Sequence, residues 1–199
     1  MKRLTHCVLA LSATGYSAFS NATPVTLNFD ALAAGVIAES LLGNADVAFD
    51  NTGGDVFNVV ECTLSADFSC GKALLNGPSF SEFGRSTVVA FTSVASFVSV
   101  VMGDYGADAD NLFLYAYDVF NTVIGADFFA SADAIGHTLS VAAPGIAFVE
   151  FYSTGQYDNS VFWDNFTYDL APPQIPAPAT LALLGLGLAG IGWSRGRMA

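Results

Sequence analysis

Between Thr23 and Tyr168 the chain is a succession of short runs rich in Val, Phe, Tyr and Thr, each closed within a few residues by Gly, Asp or Asn. Runs of this kind, often alternating apolar and polar residues, make half-buried β-strands and leave no room for a helical period. The first, residues 25–30, sets Val25, Leu27 and Phe29 against Thr26, Asn28 and Asp30. Nine more follow, at 46–50, 56–61, 87–92, 96–102, 112–118, 122–129, 138–143, 147–152 and 160–168. The four residues from Asp118 to Asn121 are few enough to join two of these as a hairpin. The only segment that could pass for a helix, residues 30–42, is interrupted by Gly35. Ten strands without regular helices predict an all-β fold of two packed antiparallel sheets, a sandwich or jelly roll.

Charge narrows the function. All 18 acidic residues lie between Asp30 and Asp169, where Lys72 and Arg85 are the only basic ones. Such a surface repels phosphate backbones and excludes nucleic-acid binding. The chain's 53% hydrophobic residues leave ample apolar surface to bury, so disorder is excluded for most of its 199 residues.

Both ends read as addresses. Residues 1–22 fit a secretory signal peptide: Lys2 and Arg3, an apolar CVLALSA core, and small residues Ser20 and Ala22 before Thr23. The sandwich then occupies 23–170, a proline-rich linker 171–178, and an apolar helix with a basic end 179–199. From Ala179 to Trp193 no residue is charged; Arg195 and Arg197 follow at once and hold the C-terminus in the cytoplasm. Within this tail GLGLAG has the G-x-G-x-x-G spacing of a dinucleotide loop. It lacks the acidic residue that the loop requires about 20 positions on.

The order of proline motif, apolar Gly/Leu-rich helix and basic cluster resembles the PEP-CTERM sorting signal of Gram-negative bacteria. Pro176-Ala177-Pro178 takes the motif position, with Ala177 where that family has Glu. The resemblance implies processing by a membrane enzyme of the exosortase type and a host that makes extracellular polysaccharide. It also implies transient anchoring in the inner membrane and a destination at the cell surface, outer envelope or extracellular matrix. In the body, GDYGADADNLFLYAYD, NTVIGADFF and VFWDNFTY resemble jelly-roll modules related to carbohydrate-binding domains.

Catalytic signals are missing. One histidine, His137, remains after signal removal, and no G-x-S-x-G, H-E-x-x-H, Walker or C-x-x-C motif occurs. The four glutamates are widely spaced, and only Glu150, on one strand face with Phe148 and Tyr152, stands in a distinctive setting. The leading expectation is a non-catalytic structural or adhesive protein; aromatics such as Tyr105 and Tyr157 read equally as glycan-binding groups and as ordinary loop residues. The alternative is a secreted polysaccharide hydrolase, which needs a pair of carboxylates converging from different strands.

Two further expectations concern ions and crosslinks. Calcium takes several oxygen ligands. Asp104, Asp108, Asp110 and Asn111 crowd one loop, which reads equally as a calcium site and as a solvated acidic turn. On strand 160–168, strict alternation puts Asp164 among Phe162, Phe166 and Tyr168, where a bare carboxylate is costly; if Val161 and Trp163 face inward instead, it is exposed. The jelly-roll resemblance implies that Asp30, Glu39 and Asp164 converge as ligands of a structural calcium ion. Cys62 and Cys70, an even pair in an exported chain, are expected to form a disulfide.

Overall fold

The structure, a computed structural model, describes residues 23–54, 56–61, 71–77, 85–103, 109–132, 136–155 and 161–171. The expected signal peptide at 1–22, Cys62, Cys70, Asp104, Tyr105, Asp108, Tyr157 and the tail with Pro176, Ala177, Pro178, Arg195 and Arg197 lie outside the described residues.

The described chain is all-β. Its strands are β1 (Val25–Leu27), β2 (Gly35–Ala38), β3 (Val47–Asn51), β4 (Val56–Glu61), β5 (Lys72–Asn76), β6 (Thr87–Gly103), β7 (Asp110–Tyr117), β8 (Val123–Ala132), β9 (His137–Thr154) and β10 (Phe162–Leu170). The candidate helix at 30–42 is instead β2 followed by one 3₁₀ turn, Glu39–Leu41. Gly35, at φ +120, opens β2 in a backbone state that L side chains rarely adopt. The hairpin turn is as expected: Asp118 N–H donates to Thr122 O at 3.0 Å, and Asn121 takes a positive φ of 64.

Two layers arise because β6 and β9 are long enough to serve in both. The first half of β6 pairs with β3, Val47↔Phe91 to Asn51↔Thr87, and its second half with β10, Gly103↔Phe162 to Ala95↔Leu170. β9 follows β6 along both halves, with its pairing broken between Ala90 and Phe97. Here Pro144 and Gly145 (φ +85) let β9 turn the corner. The front sheet is thus β3, the start of β6, the end of β9, β7 and β8. The back sheet is β2, β4, β5 with β1, β10, the end of β6 and the start of β9.

Between them lies an aromatic core. Phe49 and Phe151 of the front sheet meet Trp163 of the back at ring-centroid distances of 5.6 and 5.0 Å, and Phe29 and Phe57 complete its surround at 5.3 and 5.7 Å. Trp163 Nε1 donates to Asn76 Oδ1 at 2.8 Å, so its polar edge is satisfied as well.

β10 departs from strict alternation. Its register against β6 shifts between Asp164 and Thr167, where Asn165 has φ 50. An inserted residue reverses which side chains face the core. Trp163, Phe166 and Tyr168 all join the core, while Asp164 stands on the opposite face with Phe162. Both readings of Asp164 from alternation are therefore corrected: it does not share a face with Phe166 and Tyr168, and it is not exposed either.

Candidate functional site: an aromatic face around Glu150

On β7, Leu112, Leu114 and Ala116 are fully buried, so Phe113, Tyr115 and Tyr117 project from the outer face of the front sheet. On β9, Val149 and Phe151 are buried, and Phe148, Glu150 and Tyr152 project the same way. Register then aligns them in rows: Phe128, Phe113 and Tyr152 in one; Tyr115, Glu150, Val88 and Asp50 in the next; Tyr117 and Phe148 in the third. Neighbouring rings lie nearly parallel, with centroids 5.1 Å apart for Phe113–Tyr152, 6.3 Å for Phe113–Tyr115 and 4.6 Å for Tyr117–Phe148. Phe128, 66% exposed, extends this surface toward the sheet edge.

Polar groups converge at its centre. Glu150 Oε1 accepts from Ser86 Oγ at 2.6 Å and Oε2 from Tyr117 OH at 3.3 Å. Ser86 is itself fixed by Thr52, whose N–H donates to Ser86 O at 3.1 Å and whose hydroxyl lies 3.1 Å from Ser86 Oγ. Burial and the adjacent Glu150 charge push the Tyr117 hydroxyl's pKa up; burial and the neighbouring Tyr115 do the same for Tyr152. These phenols stay protonated and neutral at physiological pH. The surface therefore offers flat apolar rings, hydroxyls that donate and accept, and one oriented carboxylate.

A second site sits on the back sheet. Asp164 is only 2% exposed; its Oδ2 accepts from Asn165 Nδ2 at 3.1 Å, and its Oδ1 is buried without a hydrogen-bond partner. Burial pushes its pKa up to about 6, and the nearby Asp30 charge adds to the rise, while the N–H groups of Asn165 and Phe29 oppose it. Asp30 is held by Lys72 N–H on Oδ1 at 2.8 Å and by Asn28 Nδ2 on Oδ2 at 2.9 Å. Its carboxylate leaves no room for a Cβ at Gly71, which also takes a positive φ of 41.

Asp30 and Asp164 thus come together, but Glu39 does not join them. Its Oε2 accepts from Asn51 N–H at 3.3 Å, beside β3. Among the described residues no three His, Cys, Asp or Glu side chains gather as a metal site. Asp110 and Asn111 belong to β7 rather than to a loop. Asp110 is completely buried, with no room for a Cβ at Gly155 beside it, and Asn111 is exposed. His137 stacks on Phe129 with 3.6 Å between ring centroids.

Sequence reasoning noticed Glu150 with Phe148 and Tyr152 but missed Phe113, Tyr115 and Tyr117. Their signal was present: in LFLYAY the aromatic residues occupy every second position opposite Leu112, Leu114 and Ala116.

Comparison with known proteins gives three findings. No curated protein matches the chain. Among solved structures it is similar to the K2 cleaved adhesin domain of Lys-gingipain, with 12% identity, 73% of this chain and 99% of that one covered, and a TM-score of 0.47. It is also similar to a DUF4465 family protein from Bacteroides caccae, with 9% identity, 73% and 98% covered, and a TM-score of 0.48. A variant family 29 carbohydrate-binding module in complex with mannohexaose gives 15% identity, 74% and 92% covered, and a TM-score of 0.41. Among the described residues no helix is long and apolar enough to cross a membrane. The third finding concerns the tail, whose proline motif, apolar run and terminal arginines form a sorting signal that implies export and exosortase-type sorting in bacteria. Residues 174–197 match the PEP-CTERM protein-sorting motif.

Proposed function

We propose that this is a non-catalytic surface or matrix protein of a Gram-negative bacterium that binds polysaccharide on the aromatic face of its front sheet. The observation that carries the reading is the set of parallel rings, Phe113, Tyr115, Tyr117, Phe148 and Tyr152, around one oriented carboxylate. Sugar rings present flat CH faces and peripheral hydroxyls, which this arrangement matches by stacking and by hydrogen bonds. A hydrolytic role has less support. Both Glu150 oxygens are engaged, and Asp50, the other carboxylate of its row, is two strand spacings away, about 10 Å between backbones.

The test is binding of the full chain, kept soluble in detergent, to immobilised polysaccharides. Tyr115→Ala and Tyr152→Ala should each weaken retention by about tenfold, the usual scale for a central aromatic anchor. Retention on no polysaccharide, or variants that bind like the wild type, would remove the reading.

Two structural features accompany it. Asp30 and Asp164 are proposed as ligands of a calcium ion: Asp164 is buried with an unpartnered oxygen, and hard cations favour such carboxylates. Calcium would neutralise the site and bridge β10 to the segment after β1. A Cys62–Cys70 disulfide is also proposed, since β4 and β5 pair as far as Glu61↔Lys72, one residue before Cys62 and two after Cys70. Mass spectrometry of the non-reduced exported protein should find the two cysteines linked; free thiols there would refute the bond.

A further inference from the structure

Glu150 occupies the middle of the aromatic face rather than its rim. Tyr115 faces it across the β7–β9 ladder, Phe148 and Tyr152 flank it on β9, and Tyr117 reaches its Oε2 at 3.3 Å. Its two oxygens are held by neutral hydroxyls, those of Ser86 and Tyr117. The two described lysine and arginine side chains are occupied elsewhere: Lys72 Nζ donates to the Leu32 carbonyl, and the Arg85 side chain lies against Gly53, Gly54 and Gly77. Asp50, one row-mate away, adds a second negative charge, and the chain as a whole carries −12. The raised tyrosine pKa values keep the phenols neutral, so they add ring faces without adding repulsion.

A carboxylate ringed by aromatic faces is complementary to a cation, which gains both the ion pair and the ring quadrupoles. From this we infer that the ligand is a polysaccharide bearing free amines, its ammonium group seated between Glu150 and the rings of Tyr115, Tyr117 and Tyr152. The inference rests on the glycan reading and sharpens it: a neutral polymer stacks on the rings without using the carboxylate, and a uronic-acid polymer is repelled by it.

The experiment measures binding of the full chain to three hexasaccharides: glucosamine with free amines, N-acetylglucosamine, and galacturonate. The free-amine sugar should bind about tenfold or more tightly than its N-acetylated counterpart, and the acidic one should not bind. Glu150→Gln should erase the difference while keeping the weaker N-acetylated binding. Tyr115→Ala has the wild-type charge and should lose both, which separates this site from general attraction to an acidic chain. Equal wild-type affinity for the first two sugars, or a preference that survives in Glu150→Gln, overturns the inference and leaves the glycan reading standing. If Glu150→Gln fails to fold, the wild-type ratio alone decides. If no sugar or polymer binds, the glycan reading itself falls.

Discussion

Asp164→Asn will melt several degrees above the wild type at pH 7 in the presence of chelator, and the gap will close as the pH falls toward 4. The folded carboxyl has a pKa of about 6 against an ordinary value of 3.8. Between those values the folded state binds more protons than the unfolded one, so stability drops as the pH rises through that interval. Above it the full cost is present, about 3 kcal/mol on the scale of 1.36 kcal/mol per pKa unit. Asparagine has nearly the same shape and carries no charge to desolvate. Calcium should reverse the ranking. A cation that binds only the folded wild type adds about 2.7 kcal/mol at a hundredfold excess over its dissociation constant. The variant lacks the carboxylate and should gain little. Melting curves in calcium and in chelator, across pH, read both effects. A variant less stable than the wild type at pH 7 in chelator would show that the local N–H groups already outweigh burial; identical wild-type curves with and without calcium would end the metal proposal.

The largest loss should follow Trp163→Ala. Four aromatic rings from both sheets and from the segment after β1 enclose Trp163. Its removal opens a cavity that the crossing layers cannot collapse, at a cost of about 3–5 kcal/mol. Against a typical total of about 5–15 kcal/mol, that is enough to unfold a marginal domain. Trp163→Phe retains most of the packing and loses the bond to Asn76 Oδ1, which still accepts from Thr87 Oγ1. It should cost about 1–2 kcal/mol. Urea midpoints of the two variants check the ranking. Equal losses would mean that the hydrogen bond, rather than the volume, makes this position important.

The strands were legible where one face is buried and the other is not, as in β7, whose alternation survives intact from Asp110 to Tyr117. Two strands were not. β5 is buried on both faces at Ala73, Leu74 and Leu75, so KALLN shows no alternation to read. β2 is short, mostly exposed and begins at Gly35, and GVIA shows no alternation of apolar and polar residues. Elsewhere the sequence was read as broken where the strand continues. Pro144 and Gly145 look like an end, yet they mark the bend at which β9 passes from one sheet to the other. The site was partly legible for the same reason. Nearness of Asp30 to Asp164 was implied by the jelly-roll resemblance, and the pairing of the first and last strands, Val25↔Tyr168 to Leu27↔Phe166, brings it about. The facing of Asp164 could not follow, because one αL residue, Asn165, inverts the alternation after it.

The placement of β10 also bears on mechanics. The domain's exit at Ala171 follows a strand clamped on both edges, by β6 along one and by β1 and β5 along the other, and Ala171 N–H is itself bonded to Val94 O at 2.9 Å. Were the proposed polymer held on β7 and β9 and the tail tethered, drag between them would run through β9 and β6 into β10. A pull along the β10 axis would be shared by the ladders on its two sides instead of peeling them open in sequence. The chain leaves its fold at a point suited to bearing tension.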